Sequence, residues 1–492
     1  EVKIMKILTA SQAKDMDLQT IKKGISEDTL IEQAAYSVFE VVAELRPLKV
    51  LCVAGAGNNG ADSICTARIL ANNSIYADIL PAAPGKNKSS GYIKQMEIAQ
   101  NFNVNIVEDK DTDYDSYDII VDGITGTGFK GPMDTETAAI ADKINNSRAT
   151  VIAIDIPTGI DSDTALADEH AIFADITVTF SAVKIGHLLY PGCRHCGRIK
   201  VADISFDKSY FQNIMRHLVT ADTAKALLPR RYGDSNKYSY GRVLVLASSR
   251  LYPGAGILNA IGAFRSGAGL VKLITPSDSS DVLSHEPGII YRQLNKPNFE
   301  ISDLKEVEQD IKNSDVVLIG SGMGRNCDDF IKGTFELLTP EQKIVTDADA
   351  IAVINSIQTS GLQIIITPHT GEMQRIYKNL KNNVFEVEEY AASKNITVML
   401  KDSVTVITDS KKTYINTLGS SALSKGGSGD LLAGITAGFA AQGLDLLQSA
   451  VLASYVTYKT AALLAQEMTE YSVSPLLIAN NIYKALKELS EK

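Results

Sequence analysis

The sequence lacks the features of several large classes of protein. Its 492 residues include only five cysteines, too few for a secreted disulfide framework, so we expect a reducing, cytoplasmic location. Cys193 and Cys196 form one C-x-x-C pair, but no second pair stands at zinc spacing, and we interpret PGCRHCGR as a turn. The opening EVKIMKILTASQ lacks the apolar core of a secretory signal, and Met5 is a candidate native start.

Long apolar runs and an excess of basic residues are also missing. The longest apolar candidate, 431–444, contains three glycines, whereas a membrane span needs about 20 predominantly apolar residues. We therefore expect a buried helix there and no membrane partner. The chain has 48 basic and 58 acidic residues, a net charge of -10, which argues against a nucleic-acid partner. Phosphate-bearing ligands would be held by backbone amides and a few lysines.

Short β-branched runs alternate with helical patterns such as 61–72 and 134–146. The predicted strands are 49–55, 76–80, 103–107, 118–124, 150–156, 176–180, 242–248, 270–276, 315–322, 343–349, 362–369, 396–401 and 404–409. This order is typical of right-handed βαβ units and parallel sheets, an α/β fold. The stretch 204–241 lacks a clear strand, so we predict two domains, 1–218 and 219–492. The first 40 residues are predicted to be helical, with an N-cap near Thr9 or Ser11, and the last 65 residues are predicted to be mostly helical.

Three turns that follow strands of the first half carry small polar residues. In VLCVAGAGNNGADSICTARIL (50–70) a glycine-rich turn leads into a helix whose N-terminus can hold an anion. Asn58, Asn59 and Asp62 could hold a hydroxyl-bearing ligand or a hard cation, or could form only turns and a cap. Asp122 and Asp155 each end a later strand, and strand ends of a parallel sheet share one crevice.

The motifs GAGNNGADS, DGITGTGFKGP, DIPTGIDSDT and TFSAVKIGHLLYPG resemble the NAD(P)H-hydrate epimerase family over residues 5–215. The resemblance implies a Rossmann-like fold, interconversion of the R and S epimers of hydrated NADH and NADPH, and a potassium ion bound by Asn59, Asp122 and Thr158. It implies Asp155 as the acid-base group, since a carboxylate in a closed crevice can shuttle a proton. The matching substrate-binding residues are Asn58, Asn59, Gly60, Ala61, Asp62, Gly126, Thr127, Gly128, Phe129, Lys130, Gly131, Pro132 and Asp155.

One part of this motif departs from the family pattern. The family usually has Gly-Gly-Asp-Gly where this chain has Gly60-Ala61-Asp62-Ser63. The methyl group of Ala61 would restrict any positive φ at that position, which the fold either tolerates or which weakens the first site.

The longest glycine motif, LSKGGSGDLLAG (423–434), lies in the second half. Its successive amides and the following helix dipole could form an anion hole, and Asp430 beside it could deprotonate a hydroxyl. Alternatively, the motif is only a glycine-rich helix start with an aspartate cap. KGGSGD resembles the anion-hole motif of ribokinase-like enzymes.

Further motifs narrow this resemblance to the ADP- or ATP-dependent NAD(P)H-hydrate dehydratases over residues 222–492; they are IGSGMGR, TDADA, TPHTGEMQR and KDSVTVI. The resemblance implies that the nucleotide, with Mg²⁺, phosphorylates the ring hydroxyl and that phosphate is then eliminated. The matching substrate-binding residues are Ala255, Gly324, His369 and Asp430, and the nucleotide-binding residues are Lys401, Asp402, Ser403, Val404, Thr405, Gly426, Gly427, Ser428 and Gly429. Lys401 could contact phosphate or be a solvated lysine at a strand end. Ser321 stands where proline is common in the family.

Both halves together indicate a bifunctional repair enzyme for hydrated nicotinamide cofactors. The alternative is a ribokinase-like small-molecule kinase fused to a non-catalytic Rossmann-like ligand-binding module. A homo-oligomer is expected, as for many α/β enzymes. The sequence does not indicate whether ADP or ATP is the preferred nucleotide.

Overall fold

The computed structural model of the chain describes residues 5–82, 85–324, 326–378, 380 and 384–491. Within them the chain divides into two compact units, one of Lys6–Ile214 and one that begins at Met215 and includes Met5. The domain bounds 1–218 and 219–492 stay a prediction. Residues 1–4, residue 492 and Arg325 of the IGSGMGR motif lie outside the described residues.

The strands of the first unit follow the prediction closely. They are Ile7–Leu8 (β1), Lys49–Ala54 (β2), Tyr76–Pro81 (β3), Asn105–Ile106 (β4), Ile119–Gly123 (β5), Thr150–Ile154 (β6), Ile176–Phe180 (β7), Val183–Lys184 (β8) and Arg198–Ala202 (β9). The strands β1, β8 and β9 were not predicted, because two of them have only two residues and β9 alternates charged with apolar side chains. The predicted parallel sheet is confirmed: its described strands lie in the order β4-β3-β2-β5-β6-β7-β9.

Helices cover both faces of this sheet. They are Ala10–Lys22 (α1), Glu27–Glu44 (α2), Asn58–Asn72 (α3), Ser90–Asn101 (α4) and Thr135–Asn146 (α5). Thr9 is the N-cap of α1, in a reciprocal capping box with Gln12. Alternate residues of β2 enter two separate cores, Cys52 packing in one and Val53 in the other. This is the predicted Rossmann-like three-layer sandwich.

The first unit has a topological switch point at β2. From β2 the chain adds β3 and β4 on one side, then crosses to add β5, β6, β7 and β9 on the other. The connections after β2 and β5 therefore leave in opposite directions and open a crevice between the carboxyl ends of these strands.

The second unit is built on a larger, mixed sheet. Its strands are Arg216–Leu218 (β10), Arg242–Leu246 (β11), Leu270–Thr275 (β12), Ile290–Gln293 (β13), Val316–Ile319 (β14), Lys343–Thr346 (β15), Gln363–Ile366 (β16), Thr397–Leu400 (β17), Thr405–Thr408 (β18) and Thr413–Asn416 (β19). The described order is β10-β19-β18-β17-β16-β15-β14-β11-β12-β13. The switch point lies between β11 and β14, which open a second crevice.

The pairings of this sheet are parallel except for two, because β18 runs antiparallel to both β17 and β19. One expectation for this unit was wrong. The stretch 204–241 does contain a strand, β10, which pairs with β19. This strand was not predicted because it has only three residues, and two of them, Arg216 and His217, are polar. The side chain of Arg216 is buried and forms an ion pair with Glu388.

The helices of the second unit are Ala221–Leu227 (α6), Gly254–Arg265 (α7), Val282–His285 (α8), Leu304–Lys312 (α9), Asp328–Glu336 (α10), Thr370–Ile376 (α11), Phe385–Lys394 (α12), Ser428–Ala441 (α13), Leu446–Glu467 (α14) and Pro475–Ser490 (α15). The predicted buried helix is confirmed as α13, which packs against α7 and α14 in the core. No helix of the described residues is long and apolar enough to cross a membrane.

Candidate active sites

The turn between β2 and α3 is closed too tightly for any residue but glycine at two positions. A Cβ atom on Gly55 would lie 1.8 Å from the carbonyl oxygen of Ile124, and one on Gly60 would lie 1.8 Å from the carbonyl oxygen of Gly55. These two close approaches hold the start of α3 against the end of β5, at the base of the first crevice.

Several of the predicted residues line one cavity of about 430 Å³ in the first unit. They are Asn58, Asn59, Asp62, Gly126, Thr127, Gly128, Phe129 and Asp155. Other predicted residues do not line it. Gly60 and Ala61 are buried in α3, and Lys130 pairs with Asp161 and Asp163 beside Gly131 and Pro132.

Asp155 is held by a buried lysine that sequence reasoning missed. The Lys184 side chain is only 2% exposed, and its ammonium donates to Asp155 Oδ1 and to Thr179 Oγ1. Burial alone would raise the pKa of Asp155, but Lys184 outweighs burial and holds this pKa below its usual value. Asp155 also has φ +63, an uncommon conformation for a residue with a side chain and one that clusters at functional sites.

His187 fixes the backbone beneath this ion pair. Its Nδ1 accepts from the Lys184 amide (2.9 Å), so its Nε2 carries the proton and donates to the Asp155 carbonyl (2.8 Å). Burial and the nearby Lys184 lower the pKa of His187 to about 4, which keeps the ring neutral. The motif TFSAVKIGHLLYPG contains both Lys184 and His187 and was the only available signal for them.

Three further carboxyl groups face the same cavity: Asp17, Glu27 and Asp62. Lys184 is the only cation among the described residues that line it. Burial, followed by repulsion from Asp155, raises the pKa of Asp17 to about 7 and that of Asp62 well above its usual value. The cavity therefore combines an ionised carboxylate with carboxyl groups that hold protons near neutral pH.

Asp122, Thr158 and Asn59 lie together at the ends of β5 and β6. The Asp122 carboxylate accepts from the amide (2.8 Å) and the hydroxyl (2.7 Å) of Thr158, and Asn59 Nδ2 donates to the carbonyl oxygens of Thr125 (2.8 Å) and Ile154 (3.2 Å). The buried Thr125 Oγ1 has no hydrogen-bond partner among the described residues. Carboxylate, hydroxyl and carbonyl oxygens of this kind are the ligands that hard cations take.

The departures at positions 61 and 63 are accommodated without strain. Ala61 lies inside α3 and not at a positive φ, so the expected restriction is wrong. Its methyl group faces Gly91, where an added Cβ would lie 3.4 Å from it. The Ser63 hydroxyl donates to the Val53 carbonyl (3.0 Å), and Ser63 packs against Gly123.

The glycine-rich turn of the second unit leads directly into α13. Gly427 is the N-cap of this helix, with φ +92, and a Cβ on Gly429 would lie 3.0 Å from Lys401 Nζ. The buried Ser428 Oγ has no hydrogen-bond partner among the described residues. Amides at a helix N-terminus beside a lysine ammonium make a site for an anion such as phosphate.

Lys401 is not a solvated lysine. Its ammonium lies 2.9 Å from Asp347 Oδ1, and Asp347 also accepts from the hydroxyls of Thr367 (2.6 Å) and Ser321 (3.1 Å). Burial opposes the ionisation of Asp347, but Lys401 outweighs it and lowers the pKa of Asp347. Asp347 lies in the motif TDADA, yet its role as the partner of Lys401 was not predicted.

Asp430 lies in the first turn of α13, next to this ion pair. Burial, followed by repulsion from Asp347, raises the pKa of Asp430 to about 6, whereas Lys401 acts in the opposite direction. Asn259 Nδ2 donates to the Asp430 carbonyl (2.7 Å) and so fixes the start of the helix. A carboxyl group with this pKa is suited to act as a general base near neutral pH.

The remaining predicted residues of the second unit lie at neighbouring strand ends. Gly324 donates its amide to Asp349 Oδ2 (2.8 Å), and the turn of Gly322 and Gly324 adjoins Ala255 at the ends of β14 and β11. His369 is the N-cap of α11, where its Nδ1 accepts from the amides of Gly371 and Glu372, and it is 58% exposed.

The segment after Lys401 is divided between surface and core. Asp402 and Ser403 are exposed, and Asp402 accepts from the Thr370 hydroxyl (2.5 Å). Val404 is buried, and the buried Thr405 hydroxyl bonds to the Tyr458 hydroxyl (2.6 Å). Gly426 precedes Gly427 with open space around it.

The described residues contain no group of three or more His, Cys, Asp or Glu side chains arranged to hold a metal ion. Cys193 and Cys196 lie at a short 3₁₀ turn, and both are free thiols.

Known proteins resemble both units. Residues 27–186 match the family described as YjeF-related protein N-terminus, and residues 243–484 match the family described as NAD(P)H-hydrate dehydratase. Bifunctional NAD(P)H-hydrate repair enzymes of Archaeoglobus fulgidus and Dictyoglomus turgidum are 32% and 31% identical to this chain, covering 92% and 98% of it and the same shares of their own length. The structure of a ribokinase-like superfamily protein from Enterococcus faecalis is 25% identical with a TM-score of 0.52, covering 56% of this chain and 97% of that one.

The two crevices and their folds define a bifunctional α/β enzyme in which a Rossmann-like unit precedes a ribokinase-like unit. The matches run through both units, which does not support a small-molecule kinase fused to an unrelated module. The chain belongs to the family of bifunctional NAD(P)H-hydrate repair enzymes.

Replacing Lys184 by methionine should destabilise the first unit by about 3–5 kcal/mol, because it leaves the buried Asp155 carboxylate without its cation. Hydrogen exchange during urea unfolding would resolve the two units. Lys23→Met removes the exposed lysine that pairs with Asp207 and should leave the stability unchanged. Equal effects of the two substitutions would contradict the role of the buried pair.

Gly427→Ala should weaken ADP binding at least tenfold, since alanine does not readily adopt φ +92 and its Cβ would lie 2.5 Å from Leu258 Cδ1. Isothermal calorimetry on the full chain measures the affinity. Gly233→Ala is the matched control, because Gly233 belongs to none of the predicted sites and no atom lies within 4 Å of its added Cβ. Weakening of the same size in both variants would show that the left-handed N-cap is not required.

Proposed function

We propose that the chain repairs hydrated NADH and NADPH through two activities. The first unit epimerises the R and S forms, and the second dehydrates the S form at the expense of ADP or ATP. The observation that carries the proposal is Asp430, a carboxyl group with a pKa of about 6 between a glycine-rich helix start and the ammonium of Lys401. Family membership supports the same reading.

In the proposed dehydration, Asp430 accepts the proton of the ring hydroxyl. The hydroxyl oxygen then attacks the terminal phosphorus of the nucleotide, whose bridging bond breaks to release AMP or ADP. Phosphate next leaves the ring carbon, and loss of a ring proton restores the double bond. The amides at Gly427 and Gly429 and the Lys401 ammonium would stabilise the charge on the transferred phosphoryl group. The magnesium complex of ADP or ATP is the proposed second substrate.

In the proposed epimerisation, Asp155 moves a proton at the epimerising carbon. Lys184 keeps the Asp155 carboxylate ionised, and the protonated Asp17 and Asp62 offer hydrogen-bond donors on the other side of the cavity. Its volume of about 430 Å³ suits a nicotinamide ring with its ribose.

The cation that fits Asn59, Asp122 and Thr158 is proposed to be potassium. It would supply a positive charge beside the buried Asp122 carboxylate, whose pKa burial raises to about 6, and the Thr125 hydroxyl is available as a further oxygen ligand.

A reducing cytoplasm is the proposed location. All five cysteines are free thiols, and four of them are buried, which suits a compartment where thiols stay reduced.

Each activity should be lost separately in the full chain. With an R and S mixture of hydrated NADH plus Mg²⁺ and ADP, the unaltered chain should return all of the reduced-nicotinamide absorbance. Asp430→Asn should slow dehydration by about 10²–10⁴-fold with nucleotide affinity retained. Asp155→Asn should dehydrate the S fraction at the normal rate and leave the R fraction behind. Accumulation of a stable phosphorylated alcohol would instead indicate a small-molecule kinase.

The rate of dehydration should fall below about pH 6, because Asp430 must be ionised to accept a proton and its pKa is about 6. A profile of kcat/KM against pH, measured with the S epimer at saturating MgADP, tests this. If the profile is flat from pH 5 to 8, Asp430 is not the base.

A further inference from the structure

A threonine hydroxyl of β7 completes the ion pair of the first unit. Side chains alternate along this strand, so that Val178 packs in one core while Thr177 and Thr179 lie on the opposite face. Thr179 is fully buried, and its Oγ1 lies 2.8 Å from the Lys184 ammonium and 2.9 Å from Asp155 Oδ1. Because Lys184 also donates directly to Asp155 Oδ1, the three groups form a closed triangle of hydrogen bonds.

The direction of each hydrogen bond in this triangle follows from the chemistry of the groups. An ammonium can only donate, so the Thr179 hydroxyl accepts from Lys184 and has its single proton left to donate. Asp155 Oδ1 lies at 2.9 Å from this hydroxyl, whereas the Ala182 carbonyl oxygen lies at 3.4 Å. Asp155 Oδ1 therefore accepts from two donors, one charged and one neutral.

The other carboxylate oxygen of Asp155 is left for a ligand. Asp155 lines the cavity of the first unit, and its side chain is 15% exposed. Among the described residues, hydrogen-bond donors reach its Oδ1 and not its Oδ2. Thr179 is not one of the described residues that line the cavity, so its effect on a ligand would pass through Asp155.

The backbone of Asp155 is fixed on both sides of its side chain. Its amide donates to the Val178 carbonyl (2.8 Å), and its carbonyl accepts from His187 Nε2 (2.8 Å). What stays free is rotation of the carboxylate, since the terminal torsion of aspartate is broad. With Lys184 alone, the carboxylate could turn until both oxygens shared the ammonium. Two donors on Oδ1 oppose this rotation.

We propose that Thr179 is a positioning residue of the epimerisation, whose hydroxyl bridges Lys184 and Asp155 Oδ1 and keeps Asp155 Oδ2 in the cavity as the oxygen that faces the substrate. This role rests on the proposed function of the first unit. Thr179 orients the carboxylate and makes no contact with the substrate itself, so its removal should slow the reaction without weakening binding.

The test is epimer exchange by the full chain. The pure S epimer of hydrated NADH is supplied without nucleotide, so that dehydration does not compete, and chromatography that separates the two epimers follows the exchange. Thr179→Val keeps the shape of the side chain and removes the hydroxyl. Its kcat should fall about tenfold or more while KM changes by less than about twofold, since a hydrogen bond to a charged group contributes on this scale. Thr179→Ser keeps the hydroxyl and should retain most of kcat.

Thr177→Val is the matched control. Thr177 is buried on the same face of the same strand, and its hydroxyl donates to the Cys196 carbonyl (2.7 Å), away from the described lining of the cavity. This substitution also removes a buried hydrogen bond, so it should lower stability but leave kcat unchanged. Where Thr179→Val does not fold, Thr179→Cys is the second variant, since a thiol is only a weak donor and the same loss of kcat is expected.

Crystal structures of the variants give a readout that does not depend on activity. In Thr179→Val the Asp155 carboxylate should turn so that both oxygens face Lys184, and in Thr179→Ser it should keep its orientation. An unmoved carboxylate or an unchanged kcat in Thr179→Val would overturn the positioning role, as would an equal loss of kcat in Thr177→Val. An unaltered chain without epimer exchange, in whose Thr179→Val variant the carboxylate still turns, would remove the proposed epimerisation and keep the orientation of Asp155 by Thr179.

Discussion

Each unit depends on one lysine that compensates one aspartate at the end of a parallel strand. The buried Lys184 pairs with Asp155 in the first unit, and Lys401, which is 17% exposed, pairs with Asp347 in the second. Each pair leaves at least one neighbouring carboxyl group without a cation of its own, so the pKa of that group rises. In each crevice an ionised carboxylate therefore lies near a carboxyl group that exchanges protons near neutral pH.

The topology explains why these groups meet. In each sheet the strand order reverses once, at β2 and β5 in the first unit and at β11 and β14 in the second. The helices that follow the two strands at this switch point pack on opposite faces of the sheet. Their separation leaves room for a ligand at the strand ends, and every strand there contributes a loop. The acidic net charge of -10 does not oppose phosphate binding, because amides and one lysine, and not the general surface, provide the local positive potential.

The sequence predicted well what depends on local pattern and less well what depends on tertiary burial. Glycine turns, most of the strands and the aspartates at strand ends could be predicted because each has a local signature. The burial of Lys184 could not, since lysine is normally exposed and only tertiary packing buries this one. The hydrogen bond from Ser321 to the buried Asp347 had no local signature either, because it forms only when the ends of β14 and β15 lie side by side. The strand β10 was missed for a similar reason, since it has only three residues and forms through its pairing with the distant β19.

Position 91, in α4, shows which neighbour limits the space beside α3. An added Cβ there would lie 2.9 Å from Ile31 Cδ1 and 3.4 Å from the methyl group of Ala61, and the second of these is an ordinary van der Waals distance. Ile31, from α2, therefore limits the size of a side chain at position 91. The alanine at position 61 takes from α4 no space that Ile31 had not already taken.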